Sequence, residues 1–212
     1  MSGFVFGLSR WRLVRRLWPV RHGPVLRSRL LQIAPCLALG VSLQAYAATT
    51  VQMWNSSLTQ AEVVAAQKGW CDALLSISGA YASGGFSKAK AKAEAVIDQV
   101  YAYQYGPVAF KPTLASGAQT FRPTRAGALA YFVGGDPAFP GDQGFALKPW
   151  RSCEVINQVI HLNGGYATTM GNVRFVDASG KTTTVDKTWS FLKEPDGSIR
   201  IVLHHSSLPF GN

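Results

Sequence analysis

The chain has 212 residues, is 47% hydrophobic and carries a formal charge of +10, a balance that at first suggests a nucleic-acid partner. The charge is not spread, however. Residues 1–47 hold seven arginines and no acid, so the remainder carries only +3 and no basic patch for a phosphate backbone.

Taken in chain order, the basic head runs into the apolar stretch Leu30–Leu43, which is short for a membrane span, and ends on Ala45-Tyr46-Ala47. A charged region, an apolar segment and a small-x-small end are the parts of a secretory signal peptide. Residues 1–47 are therefore expected to be cleaved, giving a periplasmic or secreted protein with no membrane attachment. An organelle transit peptide or an uncleaved anchor is the alternative for an arginine-rich, acid-free leader. Residues 48–212 are enough for one domain with a real core. Cys36 leaves with the leader. Cys71 and Cys153 lack the Cys-x-x-Cys spacing of zinc or redox sites, and are read as two buried thiols or, alternatively, as a disulfide.

Thr59 and Glu62 have capping-box spacing, and Val63, Ala66, Trp70, Leu74 and Ile77 recur at helical intervals. This predicts a helix to about Ala80, broken at Ser83-Gly84-Gly85. Ser87 then caps a second helix with a core stripe of Ala93, Val96, Ile97, Val100 and Tyr101. A short extended piece, Val108–Thr113, precedes a third helix through Leu129, Tyr131 and Phe132, which Gly134-Gly135 closes. From there to Pro149 a Gly- and Pro-rich stretch reads as a long loop, often functional in compact domains.

Four β-runs follow, at about 151–162, 166–176, 181–192 and 198–207, separated by Asn-Gly-Gly, Asp-Ala-Ser-Gly and Glu-Pro-Asp-Gly turn signals. Helices first and a long antiparallel sheet last imply an α+β fold, a cone in which N-terminal helices cover one face of a curved sheet. The last run ends on His204-His205-Ser206-Ser207. Strand alternation puts His204 and Ser206 on one face and His205 and Ser207 on the other, unless a bulge at the strand end breaks that parity. Adjacent histidines on a regular strand therefore do not converge on one metal ion.

The blocks Phe110-Lys111-Pro112-Thr113, Phe121-Arg122-Pro123-Thr124, Ala130–Gly135, Gly144–Trp150 and His204–Pro209 together resemble the iota-class carbonic anhydrases. The likeness spans essentially the whole mature chain, and the His-His-Ser-Ser motif is its most specific part. It implies a nuclear-transport-factor-2-like (NTF2-like) cone, similar to the association domain of calcium/calmodulin-dependent kinase II. The implied activity is reversible hydration of carbon dioxide to bicarbonate. By resemblance the catalytic positions are Thr113, Tyr131, His204 and Ser206, with Thr113, Tyr131 and Ser206 also binding substrate. No metal is expected; zinc or manganese is the alternative, as metal use in the family is not uniform. A three-ligand hydroxide site would be hard to assemble, since His161, His204 and His205 are the only histidines after residue 47.

On this reading hydroxyls hold the attacking water and the forming bicarbonate, and His204 orients one of them or passes the proton out. Arg122 and Arg200 are placed near the pocket or in exposed ion pairs. Other enzyme classes fit less well. There is no Gly-x-Ser-x-Gly elbow and no phosphate-binding glycine loop, and Asp98, Asp136, Asp142 and Asp186 fall in turns or on mixed faces rather than as a cavity base. The competing reading is an NTF2-like small-ligand-binding or oligomerisation module without catalysis. Its interface would be the alternating face of Lys187, Trp189 and Phe191. A homodimer is expected in either case.

Overall fold

The structure, a computed structural model, describes residues 56–211. The predicted leader lies outside the described residues. Helix α1 spans Gln60–Val100 and begins at a reciprocal cap, in which the Thr59 side chain accepts from the Glu62 N–H and Glu62 accepts from the Thr59 N–H. Gly85, at φ 70° and ψ −164°, interrupts its helical backbone, so the predicted break is a kink within one long element. Val63, Trp70, Leu74 and Ile77 before the kink, and Ala89, Ala93 and Ile97 after it, are the buried stripe. Among the described residues no helix is long and apolar enough to cross a membrane.

Strand β1 (Ala109–Lys111) is short, and helix α2 (Arg125–Val133) follows, capped by Thr124 Oγ1 on the Gly127 N–H. Strands β2 (Trp150–Asn163), β3 (Tyr166–Asp177), β4 (Thr182–Lys193) and β5 (Ile199–Ser207) form the predicted antiparallel meander. The sheet order is β1-β5-β4-β3-β2, with β1 added in parallel to the free edge of β5. The register of β2 on β3 shifts between Asn157 and Val159, and there a Cβ on Gly171 would lie 2.1 Å from the Ile156 carbonyl oxygen. Only glycine fits that approach.

The core lies between α1, α2 and the inner sheet face, which presents Val173, Phe175, Val185, Trp189, Phe191 and Ile201. Lys187, Trp189 and Phe191, read from the sequence as an interface, are in fact buried inward-facing residues. The alternation of β4 is real, but its apolar side packs on this domain's own helices. Cys71 and Cys153 form a disulfide that joins α1 to β2, which corrects the reading of them as free thiols. Both sit on core-facing positions with Cα atoms 5.4 Å apart, a separation that two remote elements reach only by packing. Closing a loop of 82 residues, the bond removes unfolded-chain entropy worth roughly 4 kcal/mol.

Candidate active site

The parallel pairing of β1 on β5 builds the site. Phe110 lies opposite His204 and Lys111 opposite His205, so the chain leaving β1 through Pro112 sets Thr113 beside Ser206. Thr113 Oγ1 and Ser206 Oγ are hydrogen-bonded at 2.6 Å, and Lys111 Nζ donates to the Ser206 carbonyl at 2.9 Å. Ser206 is only 1% exposed.

Tyr131 reaches the same place from α2. Its ring stacks on Phe145 at 5.6 Å and meets Phe110 edge-on at 5.8 Å. Its hydroxyl is buried without a hydrogen-bond partner. Thr113 and Leu114 are its polar neighbours. Burial pushes its ionisation well above that of an ordinary phenol, a shift Thr113 only partly opposes, so it stays a neutral donor and acceptor. Beside it opens a cleft of about 210 Å³ lined by Leu114, Tyr131, Asp142, Gly144, Phe145 and Lys148. A larger cleft of about 510 Å³ lies between α1 and strands β4 and β5, and none of the four predicted residues lines it.

His204 faces inward like Ser206 but belongs to a different cluster. Its Nδ1 is 2.7 Å from the Tyr101 hydroxyl and its Nε2 is 2.6 Å from Lys187 Nζ. The Tyr101 hydroxyl also accepts from Trp70 Nε1 at 2.9 Å. Phe110 closes the ring off at 4.5 Å between centroids. His204 therefore hydrogen-bonds none of Thr113, Tyr131 and Ser206, and the hydroxyl it orients is that of Tyr101. Nor can it carry a proton outward directly, being sealed on all sides. Burial first, then Lys187 and His205, hold its pKa well below the usual imidazole value, which keeps it neutral. Burial likewise pushes Lys187 well below the usual lysine value.

Strand parity holds through the motif: His205 is exposed on the outer face, opposite His204. Both nitrogens of His204 are taken by protein groups. Among the described residues no group of three or more His, Cys, Asp and Glu is placed to hold a metal ion. Neither Arg122 nor Arg200 is exposed; Arg122 sits behind the cleft at Tyr131 and Arg200 lines the larger one. Arg122 Nη2 donates to both oxygens of Asp142 in a buried pair, which anchors the loop that walls the cleft. Arg200 pairs with Glu194 and donates to the carbonyls of Asp98 and Gln99 at the end of α1.

The sequence reading missed Tyr101, Trp70 and Lys187. The signal for Lys187 was present: it shares the inward parity of Val185 and Trp189, so a lysine there is a buried one. Tyr101 and Trp70 offered none, because a helical stripe position says nothing of a polar tip's partner.

Residues 61–208 match the family of metal-independent carbonic anhydrases. A metal-independent carbonic anhydrase of Nostoc sp. is 60% identical over 156 residues, 74% of this chain and 76% of that protein. The crystal structure of a cyanobacterial iota-carbonic anhydrase complexed with bicarbonate is similar at a TM-score of 0.75 and 57% identity, covering 77% of this chain and 100% of that one. An NTF2-like superfamily protein from Salmonella enterica is more distant, at 17% identity and a TM-score of 0.41 over 71% of this chain and 95% of that one. On these matches the chain belongs to the metal-independent carbonic anhydrase family, and its α+β arrangement of helices on an antiparallel sheet is shared with the cyanobacterial iota-carbonic anhydrase.

Proposed function

We propose that this protein catalyses the reversible hydration of carbon dioxide to bicarbonate in the cleft at Tyr131, without a metal. The observation that carries the reading is the hydroxyl pair of Thr113 after β1 and Ser206 on β5, with Tyr131 of α2 beside Thr113. A buried hydroxyl with no partner is unfavourable unless a ligand or water supplies one, and that of Tyr131 sits beside the cleft. Family membership supplies the chemistry, and bicarbonate is the ligand named in the cyanobacterial complex.

Thr113 and Ser206 hold the attacking water, and Tyr131 donates to the oxygen that gains charge as the carbon is attacked. The rings of Phe110 and Phe145 give apolar carbon dioxide a dry wall. His204 contributes from behind Phe110 through its hydrogen bonds rather than by touching substrate.

Export to the periplasm or beyond, with residues 1–47 removed, belongs to the same proposal. The Cys71–Cys153 disulfide supports it, because such bonds persist in oxidising compartments. A homodimer through the outer sheet face, where Ile156, Val159 and Met170 are exposed, is a further part of the proposal. Sedimentation of the wild type beside Met170→Glu checks the dimer.

The activity is tested by stopped-flow hydration before and after exhaustive chelation, with bound metal quantified. The expected rate is the same within about twofold, since no metal-bound hydroxide is needed. A rate that vanishes on chelation and returns with zinc or manganese defeats the metal-free mechanism. Folded protein with no activity under any metal leaves a small-ligand-binding module.

A further inference from the structure

Hydration of carbon dioxide makes an anion and a proton, and the hydroxyls of Thr113, Ser206 and Tyr131 cannot keep that proton. Ser and Thr have no basic form near neutrality, and Tyr131 is held in its neutral state. Asp142 reaches the cleft, but both its oxygens are engaged by Arg122. Lys111 Nζ is held by the Ser206 carbonyl, Lys148 lines the cleft, and His204 has both nitrogens engaged, which leaves Lys187 on the inner sheet face.

Lys187 is the residue directly across from Ser206 in the β4–β5 ladder, and both are buried on the same face. Opposite residues of an antiparallel pair have Cβ atoms about 5 Å apart. The amine ends 2.6 Å from His204 Nε2, with its Nζ 4.7 Å from the Trp70 ring and 5.1 Å from that of Trp189. Among the described residues no carboxylate hydrogen-bonds to it. A buried lysine with an imidazole and two indoles in place of an acid is arranged to exist in two charge states. With the His204 proton on Nδ1, facing Tyr101, the amine donates to Nε2 whether charged or not. When neutral it keeps a lone pair, and when charged it gains the faces of both indoles.

The geometry points to Lys187 as the group that takes up the proton released on hydration, receiving it through Ser206. The inference rests on the carbonic anhydrase reading of the pocket. The water oxygen bonds to the carbon, and its proton passes to the Ser206 hydroxyl, whose own hydrogen moves to the amine. Thr113 is then the donor in its bond with Ser206, which leaves the Ser206 hydrogen free to turn to Lys187. Carbon dioxide, water and amine become bicarbonate and ammonium, and dehydration retraces the path. The pocket stays neutral overall until its products leave. His204 and Tyr101 are positioning residues here, fixing the amine against the strand.

Burial favours the neutral amine. The titratable groups that face it or lie near it are His204 on β5, Tyr101 at the end of α1 on the far side of that imidazole, and His205 with its neighbours Lys111 and Asp186 toward the reverse face of the sheet.

The test is the pH profile of kcat for hydration, between about pH 6 and 9, for wild type, Lys187→Met, Lys187→Arg and Ser206→Ala. The wild type is expected to rise with pH through one ionisation. Lys187→Met should lose about 100-fold in kcat and that pH dependence with it. Lys187→Arg should not recover the rate, because a guanidinium does not release its proton in this range. In the wild type itself, the 13Cε resonance of Lys187 should titrate over the same range as kcat, a measurement that needs no variant to fold. A lysine that stays charged throughout overturns the proposal. So does Lys187→Met with wild-type rate and profile while Ser206→Ala is inactive, an outcome that leaves the pocket reading standing. Folded wild type without hydration activity overturns both.

Discussion

Two polar clusters lie two residues apart on the inward face of β5. At Ser206, a hydroxyl bond to Thr113 leads on to Tyr131, which lines an open cleft, and none of the three ionises near neutrality. At His204, an imidazole, an amine, a phenol and an indole form one hydrogen-bonded line that no solvent reaches. The first holds hydroxyls and no titratable base; the second holds two basic groups and is sealed. Lys187 belongs to both, through its ladder position opposite Ser206 and its tip against His204. The contrast teaches that one strand face can carry a group beside an open cleft and a sealed basic group two residues away, linked only through the pairing of β5 with β4.

The largest effects should come from breaking the exposed cluster. Thr113→Ala and Ser206→Ala are each expected to lower kcat about 100-fold, the usual loss for one positioned donor. The double variant should be little worse than either, since each hydroxyl works only while it holds the other. Stability should fall by only about 1 kcal/mol, because water in the cleft can replace the missing partner. Stopped-flow kinetics beside urea melts decide it. Losses that multiply in the double variant would mean that the two hydroxyls act on different steps.

The sealed cluster should respond the other way. Tyr101→Phe removes the hydroxyl that bridges Trp70 Nε1 and His204 Nδ1, leaving two buried polar atoms without a partner. We expect a stability loss of about 2–3 kcal/mol by urea unfolding, with a smaller loss of rate than at Ser206. An unchanged midpoint would mean that the line of bonds is slack and does not fix the imidazole.

That difference also explains what the sequence made legible. The four long strands announce themselves because their turns carry Asn-Gly-Gly and Asp-Gly signals and their residues alternate. The inward parity of His204 and Ser206 follows from the same alternation, and no register shift interrupts the pairing from Leu203 to Ser207. What one segment cannot encode is which remote segment it meets. The parallel docking of β1 on β5 brings Thr113 to Ser206 across 93 positions, and only the resemblance anticipated it. The disulfide and the Tyr101–His204 bond are meetings of the same kind, between residues 82 and 103 positions apart. Lys187 was misread for another reason: lysine is so rarely buried that its inward parity was taken for a surface face.

The smallest effect, and the one that separates the clusters most cleanly, is the pH dependence of stability in Lys187→Met. An unfolded lysine titrates near pH 10.4, while burial holds the native amine well below that. Between those two values the unfolded chain binds a proton that the native state does not, so wild-type stability rises with pH. Methionine has no such dependence. At neutral pH the variant should therefore be as stable as wild type or more so, as buried ionisable groups replaced by apolar ones often are. Its advantage should shrink as the pH is raised from about 7 toward 10. Urea unfolding at both ends of that range measures it, and an advantage that does not change would mean that Lys187 is charged in the native protein. His204 has the same sign, being held neutral by burial, but its window lies below the ordinary imidazole value near 6.5. Above that pH its contribution is the same in both proteins and cancels, which leaves the lysine alone to set the slope.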